Sequence, residues 1–175
     1  MKRDYIEFQD SSYPLAYLIT FKCYGTWVHG DARGSVDRKT FNRYGTAKMP
    51  ARLSLKESDI TQLKAPSLKL DASQRAAVET AIREVCTFRQ YELIAINVRT
   101  NHAHVIVAAN IKPEPIMNSF KSYATRKLRS ENLVSLTDKV WSRHGSTKYL
   151  WTEKHIESAI DYVLYGQDND VFELD

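Results

Sequence analysis

The hydrophobic positions of this chain change period along its length, and each change marks an element. Residues 17–27, "YLITFKCYGTW", alternate apolar and polar side chains and are rich in aromatic and β-branched types, which predicts a strand. From His29 to about Leu70 the pattern lapses. "HGDARGSVDRKTFNRYG", "MPARL" and "LKAPSLKL" carry glycine, proline and charge without periodicity, as a long irregular insertion would. Asp71 then stands as a helix N-cap before "ASQRAAVETAIREVCTFRQ", where Ala77, Val78, Ala81, Ile82 and Val85 recur at helical spacing. Two further strands, "YELIAINV" and "HAHVIVAA", are separated only by "RTN" and predict a hairpin.

After Pro113 and Pro115 the period returns to that of a helix in "IMNSFKSYATRKLRSENL". Ile116, Phe120, Ala124 and Leu128 make its apolar stripe, and Lys121, Arg126, Lys127 and Arg129 lie off that stripe. "WSRHGSTKYLW" predicts a turn leading into a short strand. The last helix, "TEKHIESAIDYVLYG", has Thr152 as N-cap, Glu153 and Glu157 in or near its first turns, and Gly166 at its stop. The order is β–α–β–β–α–β–α. Without the last helix this is a ferredoxin-like α+β fold, an antiparallel sheet with helices on one face and the other face left for a site. The expectation is one domain over residues 1–175, interrupted by the insertion at about 29–70.

Composition adds bounds rather than detail. Hydrophobic content of 43% and charged content of 26% are ordinary for a globular domain. No apolar run approaches the roughly 18–20 residues of a membrane helix, and the charged N-terminus, broken by Pro14, does not resemble a secretory signal. Cys23 and Cys86 are far apart and lack C-x-x-C spacing, so two ordinary thiols in a reducing cytosol are expected. Lysine and arginine outnumber acids by 25 to 21, a small surplus whose distribution matters more than its size. Residues 121–129 hold Lys121, Arg126, Lys127 and Arg129 with no acid, which suits a polyanion as well as it suits a solvated helix face.

The chain has five histidines, and two of them are His102 and His104. On a strand, residues i and i+2 project from the same face, so both imidazoles stand side by side. Neutral imidazole is the commonest side-chain metal ligand; two polar residues near a hairpin turn are equally compatible with a plain solvent-facing pair. On the last helix Ile156, Ala159, Ile160, Val163 and Leu164 form the apolar stripe, and Tyr162 and Tyr165 fall off it. Such tyrosines serve as amphipathic surface, as a dimer contact or as a nucleophile. A phenol with a pKa near 10 attacks poorly unless a base or a nearby metal assists it. Periodicity does not choose between the two.

These residues resemble a known family. "NVRTNHAHVIVAA" is similar to the histidine–hydrophobic–histidine (HUH) signature of single-tyrosine transposases, including the asparagine before the first histidine. "AIDYVLYGQ" resembles their tyrosine-bearing helix, and "GTWVHGDARGSVDR" and "WSRHGSTKYLW" resemble segments of a branch related to the REP-associated tyrosine transposases. The likeness runs from about Tyr17 to Asp168. It implies that His102 and His104 bind Mg²⁺ or Mn²⁺ and that Tyr162 attacks a phosphodiester of single-stranded or hairpin DNA, leaving a 5′-phosphotyrosine and a free 3′-OH. In the family an amide four residues after the tyrosine is the third ligand; here that position is Gly166 and Gln167 follows it, so Gln167 is the candidate third ligand and Tyr165 the competing nucleophile. The likeness further implies a homodimer acting on DNA in the bacterial cytosol. Lys121, Arg126, Lys127 and Arg129 would contact phosphates, and Trp27, Trp141 and Trp151 would stack on unpaired bases or pack in the core. A catalytically inactive nucleic-acid-binding module on the same fold is the alternative.

Overall fold

A computed structural model of the chain describes residues 13–26 and 65–166. Its elements are β1 (Ala16–Cys23), α1 (Ala72–Arg89), β2 (Glu92–Val98), β3 (His102–Ala108), α2 (Pro113–Ser130), β4 (Trp141–Leu150) and α3 (Glu153–Tyr165). The sheet order is β2-β3-β1-β4 with every neighbour antiparallel, so β3 and β1 are interior and β4 is an edge. This is the ferredoxin-like arrangement anticipated from the order of elements.

Local signals account for the element ends. Asp71 accepts from the Gln74 backbone while the Gln74 side chain accepts from the Asp71 N–H, a complete capping box that starts α1. α2 begins earlier than Ile116, because Pro113 occupies a first-turn position where its missing N–H costs nothing. β1 stops at Cys23 rather than running on to Trp27. The chain turns at Tyr24 and Gly25, where Gly25 has φ 70°, and Thr26 Oγ1 donates back to Cys23 O at 2.9 Å. Trp27 and most of the expected 29–70 insertion lie outside the described residues. The end of that stretch is tied to the body, with Leu68 N–H donating to Tyr24 O and Leu70 N–H to Thr100 O.

Two apolar clusters flank the sheet. On one face Tyr17, Ile19, Phe21, Ala103, Val105 and Val107 meet the buried stripes of α1 and α2. On the other, Ala16, Leu18, Ala95, Ile106 and Leu150 meet Ala159 and Val163 of α3. The second face is therefore not left free: α3 covers part of it, and the histidines occupy the rest of β3's same-face positions. β4 is ten residues long, not the short strand its composition predicts. Its middle, "SRHGSTK", has no apolar alternation; Gly145–Lys148 pair with β1, and the register shifts before Trp141 pairs with Cys23. No helix among the described residues is long and apolar enough to cross a membrane.

Candidate active site

Cross-strand register builds the site. Asn97, His104, Thr20 and Ser146 face one another in sequence across all four strands, and Lys22 lies opposite His102. Residues paired across an antiparallel ladder share a face, so this polar row runs beside α3 on the face away from α1 and α2. His102 and His104 are both only 8% exposed. Their rings meet edge to face with centroids 4.5 Å apart.

Each imidazole is oriented by a partner on its Nδ1. His102 Nδ1 donates to Asn101 Oδ1 at 2.6 Å, which orients the ring from that side. His104 Nδ1 is bonded to Thr20 Oγ1 at 2.8 Å. Burial, reinforced by His102, Arg99 and Lys22, pushes the His104 pKa down to about 3, so this ring is neutral at ordinary pH. Two imidazoles on one face, each held by a hydrogen bond at its Nδ1, fit one side of a divalent metal's coordination sphere. Nitrogen donors of this kind favour Mn²⁺ over the harder Mg²⁺. Among the described residues no cluster of three or more His, Cys, Asp and Glu could complete the sphere, and Gln167, the expected third donor, lies outside them.

The tyrosine helix reaches this pair from above. Thr152 caps it by accepting from the His155 N–H at 3.2 Å, and Ala159 and Val163 seat it on the sheet. The Tyr162 ring lies edge to face against His104 with centroids 5.2 Å apart. Tyr165 is 78% exposed and has turned away to the surface. At the helix end the Gly166 N–H returns to Tyr162 O at 2.9 Å. A side chain at 166 would strike that same carbonyl, so glycine is what permits the close return.

The basic residues of α2 lie across the sheet from the histidines and differ from one another. Lys121 is buried, correcting its placement off the apolar stripe. Its ammonium donates to Ser142 O at 2.9 Å and His144 O at 3.1 Å, and burial lowers its pKa. Lys127 bridges Glu131 at 3.2 Å and Glu84 at 3.5 Å. Arg126 lies over the Tyr123 ring at 4.1 Å, and Arg129 Nη2 donates weakly to Asp138 O. Lys121, Ser122, Thr125, Arg126, Arg129 and Trp141 line a shallow cavity of about 480 Å³. Trp141 packs against Phe21 and donates its indole N–H to Lys121 O, whereas Trp151 is exposed and stacked on Tyr149.

Residues 62–163 match the family described as "Transposase IS200 like". The chain belongs to that family. The matched stretch of this transposase-family chain includes His102, His104 and Tyr162 and ends before Tyr165. Similar solved structures include a REP-associated tyrosine transposase bound to a REP hairpin, at 13% identity and a TM-score of 0.48, covering 93% of this chain and 68% of that one. Another is a candidate transposase from Deinococcus radiodurans R1, also at 13% identity and a TM-score of 0.48, covering 95% of this chain and 96% of that one. Comparison with curated proteins gives no match.

Two residues of the site, Thr20 and Asn97, were not anticipated. Each is the polar residue within an otherwise apolar strand run, "YLITF" and "LIAIN". A polar side chain in a buried strand needs a partner, and that was the available signal.

Proposed function

We propose that this chain is a DNA-strand transesterase that cleaves and rejoins single-stranded or hairpin DNA through Tyr162. The observation that supports this most is the meeting of the Tyr162 ring with His104 at 5.2 Å, beside a second oriented imidazole, in a chain of the transposase family. In this reading the Tyr162 oxygen attacks phosphorus and forms the tyrosyl–phosphate bond. The bond from phosphorus to the 3′ oxygen breaks, and the phenolic proton is balanced by the proton gained on the leaving 3′-OH. Attack by a 3′-OH on the 5′-phosphotyrosine reverses the sequence and rejoins a strand without external energy. His102 and His104 would hold the Mn²⁺ or Mg²⁺, with Gln167 as the third ligand. A bound divalent ion would supply positive charge to the phosphate under attack. Thr20 and Asn101 hold the two rings through their Nδ1 atoms.

Arg126 and Arg129 are the residues proposed to contact backbone phosphates away from the reacting centre, since Lys121 and Lys127 are already engaged within the protein. A single domain working as a homodimer on DNA in the cytosol completes the proposal.

Incubation with a pool of single-stranded and hairpin oligonucleotides and Mn²⁺ tests it. Wild type and Tyr165→Phe should give a covalent adduct on the 5′ side of the cut, and Tyr162→Phe and EDTA-treated protein should give none. An adduct lost only in Tyr165→Phe reassigns the nucleophile. Binding without any adduct favours the inactive module.

A further inference from the structure

The last four carbonyls of a helix have no partner within it, and a helix end lying on a sheet must find donors there. In α3 those carbonyls belong to residues 162–165. Tyr162 O is taken by the Gly166 N–H. Val163 O is taken from the sheet, where Asn97 Nδ2 donates to it at 2.7 Å. Asn97 lies directly opposite His104 in the β2–β3 ladder. One carboxamide therefore joins the position flanking His104 to the residue that follows Tyr162.

The apolar contacts of α3 are poorly suited to fixing its rotation. Ala159 and Val163 rest on Ala16, Leu18, Ala95, Ile106 and Leu150, and apolar contact is attractive without being directional. A roll of the helix by one residue, about 100°, would carry the tyrosine off the histidine. A hydrogen bond of ordinary length loses most of its strength well before such a roll is complete.

We infer that Asn97 is a positioning residue for Tyr162: its amide sets the rotation and height of the helix so that the Tyr162 ring faces His104. Calling Tyr162 a nucleophile rests on the proposed function; the geometry that Asn97 sets does not.

Two variants test this in the full-length chain. Asn97→Leu removes the donor at similar size, and Asn97→Gln keeps a donor on a longer arm. The first readout is the NMR position of the His104 ring protons in metal-free protein, which lie in the ring current of Tyr162, with Tyr162→Leu marking the position without that ring. The second is the single-turnover rate of adduct formation on the oligonucleotide pool with Mn²⁺. Asn97→Leu should move the His104 signals toward the Tyr162→Leu position and slow adduct formation about ten-fold, the worth of a good hydrogen bond, with DNA affinity little changed. Asn97→Gln should recover part of both effects. If Asn97→Leu lowers only the melting temperature, with His104 signals and adduct rate as in wild type, Asn97 is merely structural and the inference is overturned. If wild type itself gives no adduct, the transesterase reading fails and the His104 signals alone decide the role of Asn97: unmoved signals overturn it.

Discussion

Replacing Gly145 by alanine probes how closely β4 is fitted between β1 and α2. A Cβ built at 145 would lie against Met117 Sδ from α2, 2.5 Å from Thr20 O, and 3.3 Å from Phe21 Cβ. The thioether can swing aside, because methionine is flexible. The Thr20 carbonyl cannot, because it belongs to an interior strand laddered on both sides. Overpacking against a well-filled interior costs about 1–3 kcal/mol. With one of the obstacles being backbone, the upper half of that range is expected here. For a chain of this size each kcal/mol lowers Tm by roughly 2–4 °C, so Gly145→Ala should melt about 5–10 °C below wild type by circular dichroism or calorimetry. Adding Met117→Ala should recover less than half of the loss, since it clears the sulfur and leaves the carbonyl. A Tm within about 1 °C of wild type would refute the close fit, and full recovery in the double variant would show that the sulfur alone was the obstacle. Displacing β4 also drags on Thr20, the residue bonded to His104.

Four further outcomes follow from the same structure. Thr20→Val keeps the shape of the side chain and removes the bond to His104 Nδ1; Mn²⁺ affinity by calorimetric titration should weaken roughly 10–100-fold, and unchanged affinity would mean that Thr20 does not orient the ring. Lys121→Met strips two strand carbonyls of their donor, so it should lower stability by about 1–3 kcal/mol in urea unfolding. Arg126→Ala and Arg129→Ala should instead weaken DNA binding and flatten its salt dependence, and the reverse pattern would invalidate the division between them. Burial pushes the Cys23 thiol up to about 12 and the Cys86 thiol up to about 11. Folding therefore retains protons that the unfolded chain releases above about pH 8.5, so stability falls as pH rises from there toward the folded values. Cys23→Ala with Cys86→Ala should make that alkaline decline shallower, and an identical slope in wild type and double variant would rule the thiols out as its source.

What the sequence disclosed and what it withheld divide along a physical line. Asp71, Thr152 and Gly166 act on backbone groups within a few residues, so helix ends were legible from neighbours in the chain. The histidine pair was legible because strand geometry alone puts residues i and i+2 on one face. β4 was underestimated because an edge strand needs ladder partners more than it needs apolar alternation. Lys121 was misplaced because it flanks Phe120 and Met117 on the side where β4 passes, and nothing local announces that strand's approach. Thr20 meets His104 across 84 residues and Asn97 meets Val163 across 66, separations at which no spacing rule operates. Which of Tyr162 and Tyr165 meets His104 turned on about 60° of helix rotation, which tertiary docking sets.

The two halves of the candidate site are anchored to parts of the molecule held in different ways. β3 has a strand on each side, so freeing His102 or His104 means breaking two ladders at once. α3 has no ladder of its own and rests on the sheet through a small apolar cluster, with Asn97 donating to its Val163 carbonyl. Native-state hydrogen exchange should accordingly register β3 amides only through global unfolding and α3 amides through a smaller, independent opening. In the proposed reaction, a strand end held by Tyr162 would then ride on the segment that lets go first, while the imidazoles stay in register.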